Sequence, residues 1–80
     1  MIGVISIIIE NPEKNSCQLN QMISDYKHLI KARMGIPYDN NNVGVIVLVL
    51  ETDINIINAI TGKIGRLKFA TAKAIFQKNI

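Results

Sequence analysis

The residues best placed to do chemistry in this 80-residue chain fall in one short segment. Thr61-Gly62-Lys63-Ile64-Gly65 combines a hydroxyl, an ammonium and two glycines where a ligand can approach the backbone. Such a set suits an anion or another small effector. It is not a P-loop, because the leading glycine of GxxxxGK[ST] and the hydroxyl residue after the lysine are missing. It also closes a helical pattern, where the helix dipole disfavours anions. The competing structural reading gives Gly62 to close helix packing and Gly65 to helix termination. Tyr38, within GIPYDNNN, is the second effector-binding candidate, as a pocket or subunit-contact residue, because loops often carry function.

His28 and Cys17 are the single imidazole and the single thiol of the chain. One of each, separated by a helix, does not make a metal site within one chain. A lone cysteine also excludes an internal disulfide. No metal and no cofactor are expected. No Ser-His-Asp arrangement, facing Cys-His couple or pair of acids in a cleft can be assembled. No catalytic residue is therefore assigned, and the chain is read as a non-enzyme. Nine basic and six acidic residues give a formal charge of +3, too weak to imply nucleic acid. Recognition helices, zinc fingers and an aromatic-studded sheet are missing too. Direct nucleic-acid binding by this chain alone is not expected.

The elements that must carry these residues follow from patterning. Ile2–Ile9 is rich in β-branched residues and predicts a strand. Asn11-Pro12-Glu13 predicts a helix start, and Leu19, Met22, Ile23 and Tyr26 mark one stripe of an amphipathic helix over about 12–27. His28–Met34 mixes charged and apolar residues as an edge strand does, and Gly35–Asn42 is turn chemistry. VGVIVLVL at 43–50 predicts a buried strand. Thr52 or Asp53 caps a second helix with Ile54, Ile57, Ile60 and Ile64 inside and Gly65 as its stop. Lys68–Phe76 alternates loosely and predicts an edge strand. The order β-α-β-β-α-β predicts an α+β fold of the ferredoxin-like, split βαβ type: a four-stranded antiparallel sheet with two helices on one face, one domain over 1–80. Strands one and three then lie in the centre, and the lysine- and arginine-bearing strands two and four at the edges, where charge discourages stray pairing. Lys27, His28, Lys63, Arg66 and Lys68 are expected at one end of the domain and Glu10, Glu13, Glu51 and Asp53 at the other. Dipole complementation is the simpler account of such a patch.

Neither central strand alternates apolar with polar. Their composition predicts that both sheet faces leave water, one under the helices and one against another copy. Ile5, Ile7, Ile9, Val45, Val47 and Val49 are read as the oligomer interface. The partner is the chain itself, as a homodimer or higher oligomer; an apolar ligand or another protein on that face is the alternative. The run at 2–9 is too short for a membrane span and has no basic lead for a signal peptide. A cytoplasmic protein without membrane contact is expected.

Arg33-Met-Gly35-Ile-Pro37-Tyr38, with Thr52-Asp53 and then Ile57-Asn-Ala-Ile-Thr-Gly-Lys-Ile-Gly-Arg-Leu67, resembles the family of regulators of the iron-only hydrogenase system. That family is similar to the C-terminal effector domain of nickel-responsive repressors and to ACT domains. The resemblance runs from about Ile5 to Lys73 and is most specific in NAITGKIGRL. The Pro-Gly pair common before the family's last strand is replaced here by Lys68-Phe69. The resemblance implies a ferredoxin-like oligomer, an unidentified small-molecule effector bound at a subunit boundary, and a role in transcription regulation through a partner. Two other classes compete: a protein-interaction module using the apolar sheet face, and a small oligomeric enzyme drawing on Lys63, Tyr38 and His28.

Overall fold

The computed structural model describes residues 1–38 and 42–77, with only the backbone at 37 and 38. Strand β1 (Ile2–Glu10) leads into helix α1 (Pro12–Ser24) and a single 3-10 turn (Lys27–Leu29). Strands β2 (Ile30–Tyr38) and β3 (Val43–Glu51), helix α2 (Ile54–Gly65) and strand β4 (Ala70–Phe76) follow. The sheet is antiparallel, in the order β2-β3-β1-β4. This is the expected ferredoxin-like α+β arrangement, with β1 and β3 central.

Several boundaries differ from the expectation, each for a local reason. Strand β2 starts at Ile30 and continues through Gly35–Tyr38, which pair with Ile46–Val43 of β3. Pro37 is tolerated there because β2 is an edge strand. Helix α1 stops at Ser24, where Asp25 closes it and the Tyr26 N–H turns back to the Ile23 carbonyl at 2.9 Å. Asn11 does not cap through its side chain; it adopts a left-handed φ of 47°. Its N–H donates to the carbonyl of Asn42, itself at φ 53° (2.8 Å). Asparagine is the residue, after glycine, that best tolerates this conformation. Asp53 does cap α2, its Oδ1 accepting from the Ile56 N–H at 2.9 Å. Gly65 is the last residue of α2, and Arg66 follows at φ −78°, so no left-handed glycine ends the helix. The rest of the predicted turn, 39–41, lies outside the described residues.

Side chains of β1 and β3 alternate between two faces. One face carries Ile5, Ile7, Ile9, Ile46, Leu48 and Leu50. These pack with Leu19 and Ile23 of α1 and Ile57, Ile60 and Ile64 of α2 into a core of aliphatic side chains. Ile54, expected inside, is exposed although it shares the stripe of Ile57, because it is the first residue of α2, at the helix end. A Cβ at Gly3 would lie 2.4 Å from Ile57 Cδ1, so this glycine lets α2 settle onto β1. Among the described residues no helix is long and apolar enough to cross a membrane.

The helices run in opposite directions, since α1 starts beside Glu10 and α2 starts beyond Glu51, at the other end of β1 and β3. The expected gathering of five basic residues at one end is therefore corrected. Lys27 and His28 precede Ile30, which pairs with Leu50, and so lie at the Glu51 and Asp53 end. Lys68 lies at the Glu10 and Glu13 end, where the Glu10 N–H donates to the Phe69 carbonyl at 2.8 Å. Each end mixes the two signs of charge.

Candidate functional site

Three surfaces compete as the functional site. The first is the α2 segment. Thr61 Oγ1 donates to the Ile57 carbonyl at 2.8 Å, so its hydroxyl is engaged within its own helix. Lys63 Nζ donates to the Tyr26 hydroxyl and sits 5.1 Å from the centre of that ring. A Cβ at Gly62 or Gly65 would meet nothing within 4 Å. The packing role given to Gly62 is thus corrected: no neighbouring element presses on either glycine. Tyr38 does not join this group. It ends β2, at the opposite edge of the sheet from β4, on which α2 packs. That places it two to three strand spacings, roughly 10–14 Å, to one side of the strands under α2, and a layer below the helix.

Nor does the fold bring all three groups of a catalytic reading together, although Lys63 reaches Tyr26 beside the turn of His28. His28 sits in the 3-10 turn before β2, not in an edge strand. Tyr38 ends that strand roughly 27 Å further along, and Lys63 belongs to α2. Cys17 is exposed on α1. Among the described residues no three His, Cys, Asp or Glu side chains gather as a metal would require.

The second surface is the uncovered face of the sheet. Register places Val4, Ser6 and Ile8 of β1 beside Val49, Val47 and Val45 of β3. β2 adds Ala32, Met34 and Ile36, and β4 adds Thr71, Lys73 and Ile75. Ile8, Met34, Ile36 and Ile75 are between 41 and 69% exposed. The proposed interface set is therefore divided. Val45, Val47 and Val49 lie on this open face, but Ile5, Ile7 and Ile9 are fully buried beneath the helices. Assigning those three isoleucines to a subunit contact is corrected, because the period of two sends them to the opposite side from the valines.

The third surface is a cleft of about 200 Å³ that the sequence did not signal. Pro12 and Ser16 of α1 form one wall and Arg33 and Gly35 of β2 the other, with Ile9, Gly44 and Ile46 between. It exists because α1 packs toward β1 and leaves the helix-side positions of β2 uncovered. Gly35 supplies no side chain to fill the gap; a Cβ there would meet only the Val45 carbonyl, at 4.0 Å. Arg33 Nη2 donates to Asn20 Oδ1 at 2.5 Å, bridging β2 and α1 beside the cleft. Read along the sequence, Arg33 looks only like an edge-strand charge.

Fold and surfaces together define a ferredoxin-like α+β sandwich with helices on one side and an apolar sheet on the other. The family model described as "TM1266-like: Iron-only hydrogenase system regulator, putative" matches residues 1–74, and the chain belongs to that family. A search of curated proteins found no match. Among solved structures, the chain is similar to "uncharacterized protein TM1266 from Thermotoga maritima", with a TM-score of 0.87 and 31% identity over 92% of each chain.

Proposed function

We propose that this protein is a non-catalytic regulatory domain of the iron-only hydrogenase system. It acts as a homo-oligomer whose copies meet through their open sheet faces, and it binds a small effector. The family assignment supports the regulatory class. The single observation that carries the assembly is the largely apolar open face, with half-buried valines along its centre, four larger apolar chains around them and its one charge, Lys73, on the edge strand β4. Burying what remains exposed of each larger side chain is worth about 1 kcal/mol, and a symmetric pair gains it twice. Sheets packed face to face lie about 10 Å apart, a spacing that flat rows of valine suit. A second copy also has the same chemistry on the same face, which a two-fold contact requires. Location in the cytoplasm and action on transcription through a DNA-binding partner belong to this reading.

The catalytic candidates favour regulation over an enzyme, since Tyr38 ends β2 roughly 27 Å along the strand from the turn that holds His28. Sedimentation equilibrium of the full chain at micromolar concentration tests the assembly. A dimer or higher oligomer is expected, and a lone 8.9 kDa species would remove it. A monomer that binds a different protein through Met34 and Ile36 would favour the interaction-module reading instead.

A further inference from the structure

We propose that the cleft between α1 and β2 is a binding site for a small carboxylate bearing a compact branched alkyl group. This names an effector class for the regulatory reading above and rests on that reading for its consequence, not for the binding itself.

The size, lining and charge of the cleft lead to this class. An engineered cavity of about 150 Å³ accommodates benzene, so a cleft of about 200 Å³ admits a guest of seven or eight heavy atoms. Its floor is aliphatic, from Ile9, Ile46 and Pro12, which suits a branched alkyl group and gives a bare phosphate nothing to bury. At its rim stands Arg33, whose planar fork of N–H donors matches a carboxylate in bidentate geometry. Asn20, a neutral amide, orients the guanidinium without cancelling its charge. The Ser16 hydroxyl on the facing wall supplies a further hydrogen-bonding group.

The cleft is also joined to the assembly surface by one strand. Arg33 and Gly35 face it and Ile36 borders it, while the side chains of Met34 and Ile36 fall on the open face by alternation. Strand β2 is thus the element through which occupancy and assembly would be linked, and any such linkage is reciprocal.

Isothermal titration of the full chain with isovalerate, isovaleramide, acetate and inorganic phosphate tests the site. Saturable isovalerate binding is expected, with isovaleramide, acetate and phosphate each at least about tenfold weaker, from loss of the charged hydrogen bond or of the buried alkyl carbons. Arg33→Gln, an exposed position, should weaken isovalerate by a similar factor. Gly35→Val should abolish binding by filling the cleft, with circular dichroism confirming the fold. Absence of isovalerate binding into the millimolar range, equal binding of isovaleramide or phosphate, or unchanged affinity in Arg33→Gln would each overturn the proposal. Should Gly35→Val not fold, Arg33→Gln decides alone. Sedimentation without ligand separates the two readings: a monomer that still binds isovalerate through Arg33 sinks only the assembly, and an oligomer that binds none of the four sinks only the site.

Discussion

The two faces of the sheet are built from the same two central strands, yet they carry different side chains. Under the helices stand Ile5, Ile7, Ile9, Ile46, Leu48 and Leu50, each nearly or fully buried. On the other side the same strands present Val4, Ser6, Ile8 and the valines at 43, 45, 47 and 49. Larger side chains reach up between two cylindrical helices, where interdigitation fills the gaps. Smaller branched ones make a flatter surface, which suits another sheet better than a helix. The difference teaches that apolar composition alone does not mark a core: residue size on each face indicates what kind of surface it meets.

The largest effect should come from the helix-covered face. Leu48→Ala removes a fully buried side chain opposite Ile5 and Arg33. It should lower stability by about 2–5 kcal/mol, a large share of what a small domain has. Urea denaturation measures it, and a loss below about 1 kcal/mol would break the distinction between the faces. Val47→Lys makes the complementary change at the centre of the open face, where Val47 lies between Ser6 and Met34. Its long stem can lay its charge out to water in a monomer, so the isolated fold should lose less than about 1 kcal/mol. Assembly should fail, because a sheet-to-sheet contact would bury that ammonium unpaired. Sedimentation should find monomers where the unaltered chain associates. An oligomer persisting in Val47→Lys would put the contact elsewhere.

Element order was legible because each strand and helix announces itself locally: β-branched runs for β1 and β3, isoleucines three or four apart for α2, and Asp53 as its cap. Relations between elements were less so. In an ordinary half-exposed strand polar residues mark the outer face. Here both alternations are apolar, so Ile5, Ile7 and Ile9 could not be told from their outward neighbours until the register was known. The basic end patch failed because helix direction alternates with the strands, a property of the topology and not of any segment. Tyr38 and the α2 glycines are each conspicuous in sequence but fall toward opposite edges of the sheet. The cleft stayed hidden because its residues come from four elements and its defining feature is a gap, where Gly35 leaves β2 bare. Arg33 carries no local mark distinguishing a rim residue from an edge charge.

Smaller changes in α2 sharpen the comparison, because they alter the helix layer while leaving the open face untouched. Asp53→Ala removes the side chain that accepts from the Ile56 N–H and should reduce stability by about 1 kcal/mol with no change in oligomeric state. Denaturation and sedimentation on the same samples check both halves of that expectation.

Gly62→Ala should act in the opposite direction and most weakly. Glycine inside a helix is less favourable than alanine by roughly 0.5–1 kcal/mol, mainly through backbone entropy. At Gly62 an added methyl meets nothing within 4 Å, so no clash offsets the gain, and the midpoint of denaturation should rise. If the outward side of α2 is plain solvent surface, assembly will be unchanged, and the two faces keep their separate roles. If the variant is more stable yet associates less well, the bare glycine is holding room for something that approaches α2. The helix layer would then be a second contact surface, and the open sheet face could no longer account for the oligomer alone.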